Sequence, residues 1–509
     1  MNSPLDLPPS AVRATAQTTP AAHSIDTLDW APRFGRLPGK FYTRLQPTAL
    51  PEPYLIAHNP DALGLIGLDA GAVTEHRFTA TLSGSRVPPG CDPLAAVYAG
   101  HQFGVYVPQL GDGRAITIGE AHGVEGVQEI QLKGAGPTPY SRMGDGRAVL
   151  RSSIREYLCS EAIHGLGIPT TRALAITGSD QPVIRETAET AAVVTRLAPS
   201  FVRFGSFEYW YHRRDVDAVR MLADFVIGNF YPECGAGEER YPLFLRAVVC
   251  RTANLMAQWQ SVGFMHGVMN TDNLSILGLT LDYGPFGFME AFDPGQICNH
   301  TDEGGRYAYN MQPRIGLWNL YALGQALVPL MTPEVIEEQL HTYETGFDAA
   351  HRRLLCAKLG FKDWRNEDSA LAGEMFALMA ESHADFTLFF RTLSALNAAD
   401  ALADGAVRDL LINRDRFDAW AVRYRARLQA ESSVDAARRP AMNRANPKYV
   451  LRNYLAEVAI RKARDEHDFS EIEALRKLLS APFDEQPHNQ RYAALPPEWA
   501  TRLEVSCSS

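Results

Sequence analysis

His266-Gly-Val-Met-Asn-Thr-Asp272-Asn273, followed nine residues later by Asp282-Tyr283-Gly284, is the stretch on which the reading of this chain turns. Asn273 and Asp282 are hard oxygen donors, and the apolar run 274–281 between them fits a small hairpin that would set both at neighbouring strand ends. Two such oxygens, with phosphate oxygens beside them, can hold one hard divalent cation that fills the rest of its shell with water. The stretch therefore reads as the metal-binding half of a phosphate-handling site.

Its spacing is kinase-like. A protein kinase supplies an Asn to the metal from a loop H-R-D-x-x-x-x-N and an Asp from D-F-G. Here His266 and Asn273 keep that frame, and Asp282-Tyr283-Gly284 stands in the place of D-F-G. The position of the kinase base is Val268, and a carboxylate occurs instead at Asp272. Either Asp272 is the base or the base lies elsewhere.

Upstream motifs supply a second half. Leu110-Gly111-Asp-Gly113-Arg114 precedes a strand, where glycines let backbone N–H groups approach phosphates and Arg114 adds charge; a plain glycine turn with an exposed Arg is the simpler alternative. Lys133 closes the strand-like Glu129-Ile-Gln-Leu-Lys133, and Glu156 lies in the following helix at the distance expected of its ion-pair partner. The loop 134–147 is glycine-rich and long enough to close over a nucleotide through Asp145 and Gly146, or to be a flexible connection. Arg196 and Arg203, seven apart after a β-like run, suit a polyphosphate, although two surface arginines would look the same.

Composition limits the function classes. The 509 residues are 46% apolar, enough for a large core, and the net charge of −10 gives no general attraction to nucleic acid or anionic membrane. No run approaches a membrane span, and the first residues lack a hydrophobic signal core. Seven scattered cysteines without C-x-x-C spacing argue against a zinc cage or a secreted disulfide scaffold, so a cytoplasmic location is expected; the chain is also expected to be a monomer.

Periodicity divides the chain into a tail (1–25), a turn-rich wrapping segment (26–105), a strand–helix–strand region (106–215), a helical region (216–400) and a helical extension (401–509). Strands are expected at 115–119, 129–133, 171–177 and 182–186, and a helix at 147–165. Further helices are expected at 243–262, 315–328, 333–359, 369–396, 407–428, 449–466 and 470–479. The class is α+β, a protein kinase-like bilobal fold with a β-rich N-lobe, a helical C-lobe and a helical C-terminal extension.

Three further runs join these motifs: Tyr98-Ala-Gly-His-Gln-Phe-Gly104, Leu132-Lys-Gly-Ala-Gly-Pro-Thr-Pro-Tyr-Ser-Arg142, and Asp282-Tyr-Gly-Pro-Phe-Gly-Phe288. Together with 266–273 they resemble the selenoprotein O family of pseudokinases, from about residue 35 onward. The resemblance implies transfer of AMP from ATP to Ser, Thr or Tyr hydroxyls of other proteins, with UMP transfer in the presence of Mn²⁺ also described for members. It implies a nucleotide flipped relative to kinases, so that the α-phosphate faces the acceptor. It also implies ATP contacts from Gly111, Gly113, Arg114, Lys133, Asp145, Gly146, Arg196, Arg203 and Asp282. Asp272 would be the proton acceptor, and Asn273 with Asp282 would hold Mg²⁺ or Mn²⁺. A phosphotransferase and an inert nucleotide-binding pseudokinase scaffold remain the alternatives.

Cys507, third from the end, resembles the position of selenocysteine in animal members, and Cys298 lies sixteen residues past Asp282. A reversible Cys298–Cys507 disulfide would tether the tail over the site and tune activity, with redox-related protein substrates as one consequence.

Overall fold

Alternating and continuous apolar runs in the first 200 residues fold into one antiparallel sheet. The computed structural model describes residues 24–400, 404–503 and 505. The strands are β1 (Tyr42–Arg44), β2 (Tyr54–His58), β3 (Leu94–Ala96), a separate hairpin of β4 (Gly100–Gln102) and β5 (Val105–Val107), β6 (Ala115–Gly123), β7 (Gly126–Lys133), β8 (Ala148–Val149), β9 (Arg172–Ile184) and β10 (Ala188–Ala198). The eight-stranded sheet runs β1-β3-β6-β7-β10-β9-β2, with β8 pairing β10. Strands from the turn-rich segment thus occupy both edges, and β6, β7 and β10 lie inside.

Those inner strands are buried on both faces. On one, α1 (Pro60–Leu63) and α2 (His76–Leu82) bring Leu63, Phe78 and Leu82 against Ile116, Ile118 and Leu174. On the other lies α3 (Leu150–Gly165), packed across β9 and β10. The expected strands 171–177 and 182–186 form the single strand β9. Pro182 costs no bond to β2, because β2 pairs β9 only as far as Gly178.

The helices that follow are α4 (Phe204–His212), α5 (Val216–Phe230), α6 (Arg240–Ser261), α7 (Gln312–Leu327), α8 (Pro333–Leu340), α9 (Thr342–Leu359), α10 (Asp368–Ser382) and α11 (Phe386–Leu393). After them come α12 (Gly405–Arg408), α13 (Arg414–Ala430), α14 (Asp435–Ala445), α15 (Asn453–Glu466) and α16 (Ser470–Ser480). Three expected helices are each two. His341 separates α8 from α9; His383 is left-handed at φ 46° and ends α10; the Asn413 side chain caps α13 and breaks it from α12. α15 and α16 pack on α3, closing it off from solvent. On that side α3 buries Arg155, which donates to Asn453 at the start of α15 at 3.2 Å, whereas Glu161 is buried on the sheet side against Arg172 of β9.

The hairpin expected at 274–281 does not form. Leu274, Ile276 and Leu281 are buried, and the backbone bonds outward: Phe204 N–H donates to Leu274 O, Ile276 N–H to Val202 O and Thr280 N–H to Pro169 O. The run is a loop tied to two neighbours, because its apolar residues enter the core on more than one side and cannot alternate across a ribbon. Among the described residues no helix is long and apolar enough to cross a membrane.

Candidate active site

β7, α3 and β10 converge on one buried charge network. Lys133, at the end of β7, places Nζ 2.6 Å from Glu156 Oε2 on α3 and 3.4 Å from Asp282 Oδ1. Arg196 on β10 sits directly opposite Gln131 of β7. It donates to Glu156 Oε1 at 2.9 Å, to Asp282 Oδ1 and to Gln131 Oε1. Arg203, the residue before α4, donates to Asp282 Oδ2 at 2.6 Å and to the Asp272 carbonyl at 2.8 Å. Asp282 reaches this position through a left-handed backbone, φ 59°. Burial alone would raise its carboxyl; Arg196, Arg203 and Lys133 outweigh burial and hold it well below the usual range.

The two glycine loops are stitched together. Thr138 Oγ1 donates to Asp112 O at 2.7 Å, and Ser141 Oγ donates to Gly113 O. Gly111 has φ 83°, and a Cβ there would stand 2.5 Å from the Tyr140 ring, so Tyr140 itself demands the glycine. Asp145 accepts from Arg147 N–H and is bridged by Arg185 at 2.8 Å. Gly146 lies so close to Gly136 that a Cβ would meet its carbonyl at 2.1 Å. Arg114 lines the same cleft.

That cleft, about 880 Å³, brings together Gly111, Gly113, Arg114, Lys133, Asp145, Gly146 and Arg196 with Asp272, Asn273 and Asp282. Arg203 stands behind it, with its guanidinium 4.5 Å from the centre of the Tyr98 ring. Asp272 lies on the short turn Thr271–Asn273. Gln102 Nε2 donates to its Oδ2 at 3.2 Å, whereas Oδ1 is buried without a hydrogen-bond partner. Burial raises its carboxyl to about 7, with the Arg203 charge pulling the other way. His266 does not face the cleft; its ring donates to Leu281 O at 2.9 Å and stacks on Trp259, shaping the loop from beneath.

Among the described residues no three His, Cys, Asp or Glu side chains form a metal cage. The donors present fit a hard cation shared with phosphates: Asn273 uses its amide N–H on Val268 O, leaving its carbonyl oxygen as donor, and Asp282 lines the same wall. Cys298 lies beside the backbone that leads into 266–273, its Sγ 3.6 Å from Met265 O. Cys507 lies outside the described residues, but Val505 O accepts from His300 Nδ1 at 2.9 Å, two residues from Cys298.

Four participants were not singled out from the sequence: Gln131, Asp112, Gln102 and Glu208, whose carboxylate accepts from the Thr271 hydroxyl next to Asp272. Gln131 accepts from Arg196, and the Asp112 carboxylate accepts from Ala96 N–H at 3.0 Å, which ties the glycine loop to β3; no spacing rule marks them. Gln102 falls within the Tyr98–Gly104 run, one of those that carry the family resemblance, and that run was the available signal.

The sequence profile described as "Protein adenylyltransferase SelO" matches residues 24–480. The chain belongs to this family. Other SelO-family relatives are named protein nucleotidyltransferase YdiU. That of Thiobacillus denitrificans is 56% identical over 487 residues, covering 96% of this chain and 100% of the relative. That of Herminiimonas arsenicoxydans is 56% identical over 499 residues, covering 96% and 99%. That of Burkholderia multivorans is 55% identical over 495 residues, covering 94% and 95%.

Proposed function

We propose that this chain transfers AMP from ATP to Ser, Thr or Tyr hydroxyls of other proteins, within a kinase-like bilobal frame whose β-rich lobe spans 106–215 and takes strands β1–β3 from the preceding segment, and whose helical lobe spans 216–400. The observation that carries the reading is the convergence of Lys133, Arg196, Asn273 and Asp282 in one cleft with the unpartnered Oδ1 of Asp272. Family membership points the same way.

Arg196 and Arg203 are the deepest cations, and they suit the outer phosphates of a nucleotide bound flipped relative to kinases. Lys133, steadied by Glu156, and Arg114 would neutralise charge nearer the α-phosphate. Gly111, Gly113, Asp145 and Gly146 would line the nucleotide. Asp272 would accept the acceptor hydroxyl's proton as that oxygen attacks the α-phosphorus and pyrophosphate leaves. Asn273 and Asp282 would hold Mg²⁺ or Mn²⁺, which when bound screens phosphate charge and orients the leaving group.

Five described cysteines (91, 159, 234, 250 and 356) are free thiols, which supports a cytoplasmic setting. A Cys298–Cys507 tether is kept as part of the reading, supported by the tail at Val505 resting on His300. Peptide mapping under oxidising conditions tests it.

The decisive experiment supplies α- or γ-labelled ATP, Mg²⁺ and an acceptor protein, with Asp282→Ala as control. Label from the α-phosphate alone, lost in the variant, establishes nucleotidyl transfer here. Label from the γ-phosphate makes the chain a phosphotransferase, and nucleotide binding with no transfer makes it a scaffold.

A further inference from the structure

The β4–β5 hairpin, whose Gln102 lines the cleft, carries an exposed, strained aromatic residue at its turn. Gln102 pairs with Val105, leaving Phe103 and Gly104 as a two-residue turn with φ 50° and 83°. Such a turn needs a left-handed backbone at both positions and favours Asn-Gly, whereas a bulky residue is strained there by about 1 kcal/mol. The backbone has a reason for this shape, since Phe103 N–H donates to Asn270 Oδ1 and to Tyr307 Oη, both at 3.1 Å. An asparagine would serve that backbone better. The ring is 43% exposed, so core packing does not account for it either.

What surrounds the ring is aromatic and cationic. Phe103 lies 5.1 Å from the Tyr307 ring, and the guanidinium of Arg306 rests between the Gly104 turn and Trp318, 4.6 Å from the latter's ring. From Trp318 the layer continues through His101 and Tyr106 to His212, at ring separations of 5.4, 5.3 and 3.9 Å. Val105 is 68% exposed beside it. Arg213 is exposed one residue beyond His212, and Arg314 is exposed one helical turn before Trp318 on α7. Arg213, Arg306 and Arg314 enter no ion pair among the described residues. The carboxylates nearby are turned inward: Glu208 to His101 and Thr271, Asp302 to the Arg306 and Tyr307 amides. Glu303, exposed on the turn before Arg306, is the opposing charge.

The same hairpin touches the chemistry. Gln102 bonds Asp272, and a Cβ on Gly100 would stand 2.8 Å from Asp272 Oδ1, so the hairpin lies flush against the proposed proton acceptor.

We infer that this surface docks the acceptor protein, through a segment in which the hydroxyl residue is flanked by acidic and bulky apolar side chains. Phe103 and Val105 would seat the apolar neighbour, and Arg213, Arg306 and Arg314 the acidic ones. The inference rests on the transfer reading for its purpose. The whole chain carries a charge of −10, which disfavours acidic partners in general. Preference for one therefore has to come from a local patch within a Debye length, roughly 8 Å.

The test uses the full chain and two fluorescent synthetic peptides of equal length, each with a central Ser and Leu and Phe flanks, one carrying Glu and the other Lys. Anisotropy at physiological ionic strength should show the Glu peptide binding about ten-fold tighter, from several exposed charge contacts, with the gap closing in high salt. Arg314→Glu together with Arg213→Glu should erase the gap. Phe103→Asn should weaken the Glu peptide about five-fold or more, with ATP binding unchanged and the thermal midpoint equal or higher, since the turn strain is relieved. Equal binding of the two peptides, or a Phe103→Asn protein that binds the Glu peptide as the wild type does, overturns the docking surface. Peptide selectivity without α-label transfer leaves the surface standing and removes the transfer reading. Transfer without selectivity does the reverse.

Discussion

Lys133 and Lys358 are both buried, at 9% and 3% exposure, and the protein houses them in opposite ways. Lys133 sits among carboxylates, with Glu156 at 2.6 Å and Asp282 at 3.4 Å. Lys358, near the end of α9, lies over the rings of Phe390 and Phe386, at 4.0 and 5.6 Å, and enters no ion pair among the described residues. Burial lowers the affinity of both for a proton. At Lys133 the two carboxylates offset only part of that cost and its affinity stays lowered, whereas Lys358 is pushed down to about 7 despite the attraction of the Phe390 face. A buried cation flanked by acids is held ready for an anion; one flanked by rings is a cost borne by stability.

Removing the first should therefore strike activity. Lys133→Ala is expected to lower nucleotidyl transfer by about 10²–10³-fold, the usual size for one preorganised cation or donor at a reacting phosphate. Loss measured with α-labelled ATP should come without unfolding in the circular dichroism spectrum. Equal activity would place the nucleotide elsewhere in the cleft. Glu156→Gln should cost less in rate and more in stability, on the order of 3 kcal/mol, because it leaves Lys133 and Arg196 buried with one acid fewer. A thermal midpoint equal to the wild type would show that Asp282 alone neutralises both.

Lys358→Met should do the opposite and stabilise, by about 2 kcal/mol at neutral pH, as a buried charge is exchanged for a side chain of similar volume. Its signature lies in the pH dependence. The folded amine has a lowered affinity, about 7, against roughly 10.4 in the unfolded chain. Between those values the unfolded state binds the extra proton, so wild-type stability rises with pH across the window, and below it the amine is charged in both states and the slope vanishes. Thermal midpoints from pH 7 to 10 should lose this rising component in the variant. An unaltered rise would mean that Lys358 stays charged over its aromatic pair.

The contrast also marks what the sequence made legible. Lys133 and Glu156 could be paired on paper because a strand end and a helix at fixed separation bring them together in a known geometry. The helices of the second half were readable from their period, but their breaks at His341, His383 and Asn413 depend on single capping or left-handed residues that periodicity does not register. The loop 274–281 was misread because eight mostly apolar residues carry no sign of which neighbours they enter; Val202 and Pro169, far away in sequence, take its hydrogen bonds. The role of Gln131 was invisible for the same reason, and Gln102 was legible only as a member of the Tyr98–Gly104 run. Their roles exist only once β10 lies on β7 and the hairpin lies on Asp272.

The smallest expected effect sharpens the comparison at the cleft's rim, where charge is neither buried nor costly. Asp145 is half exposed and bridged by Arg185, which also holds the Ile184 and Arg147 carbonyls. An ion pair so open to water contributes less than about 1 kcal/mol, so Arg185→Ala should barely move the thermal midpoint. If Asp145 contacts the nucleotide, however, Arg185 competes for the same carboxylate, and freeing it should change KM for ATP by a factor of about two to five while kcat holds, the pattern of uniform binding. A change confined to kcat would instead show that Arg185 positions the loop 138–146 over the reacting phosphate. No change in either would reduce Asp145 to a clasp that closes the loop onto the end of β9.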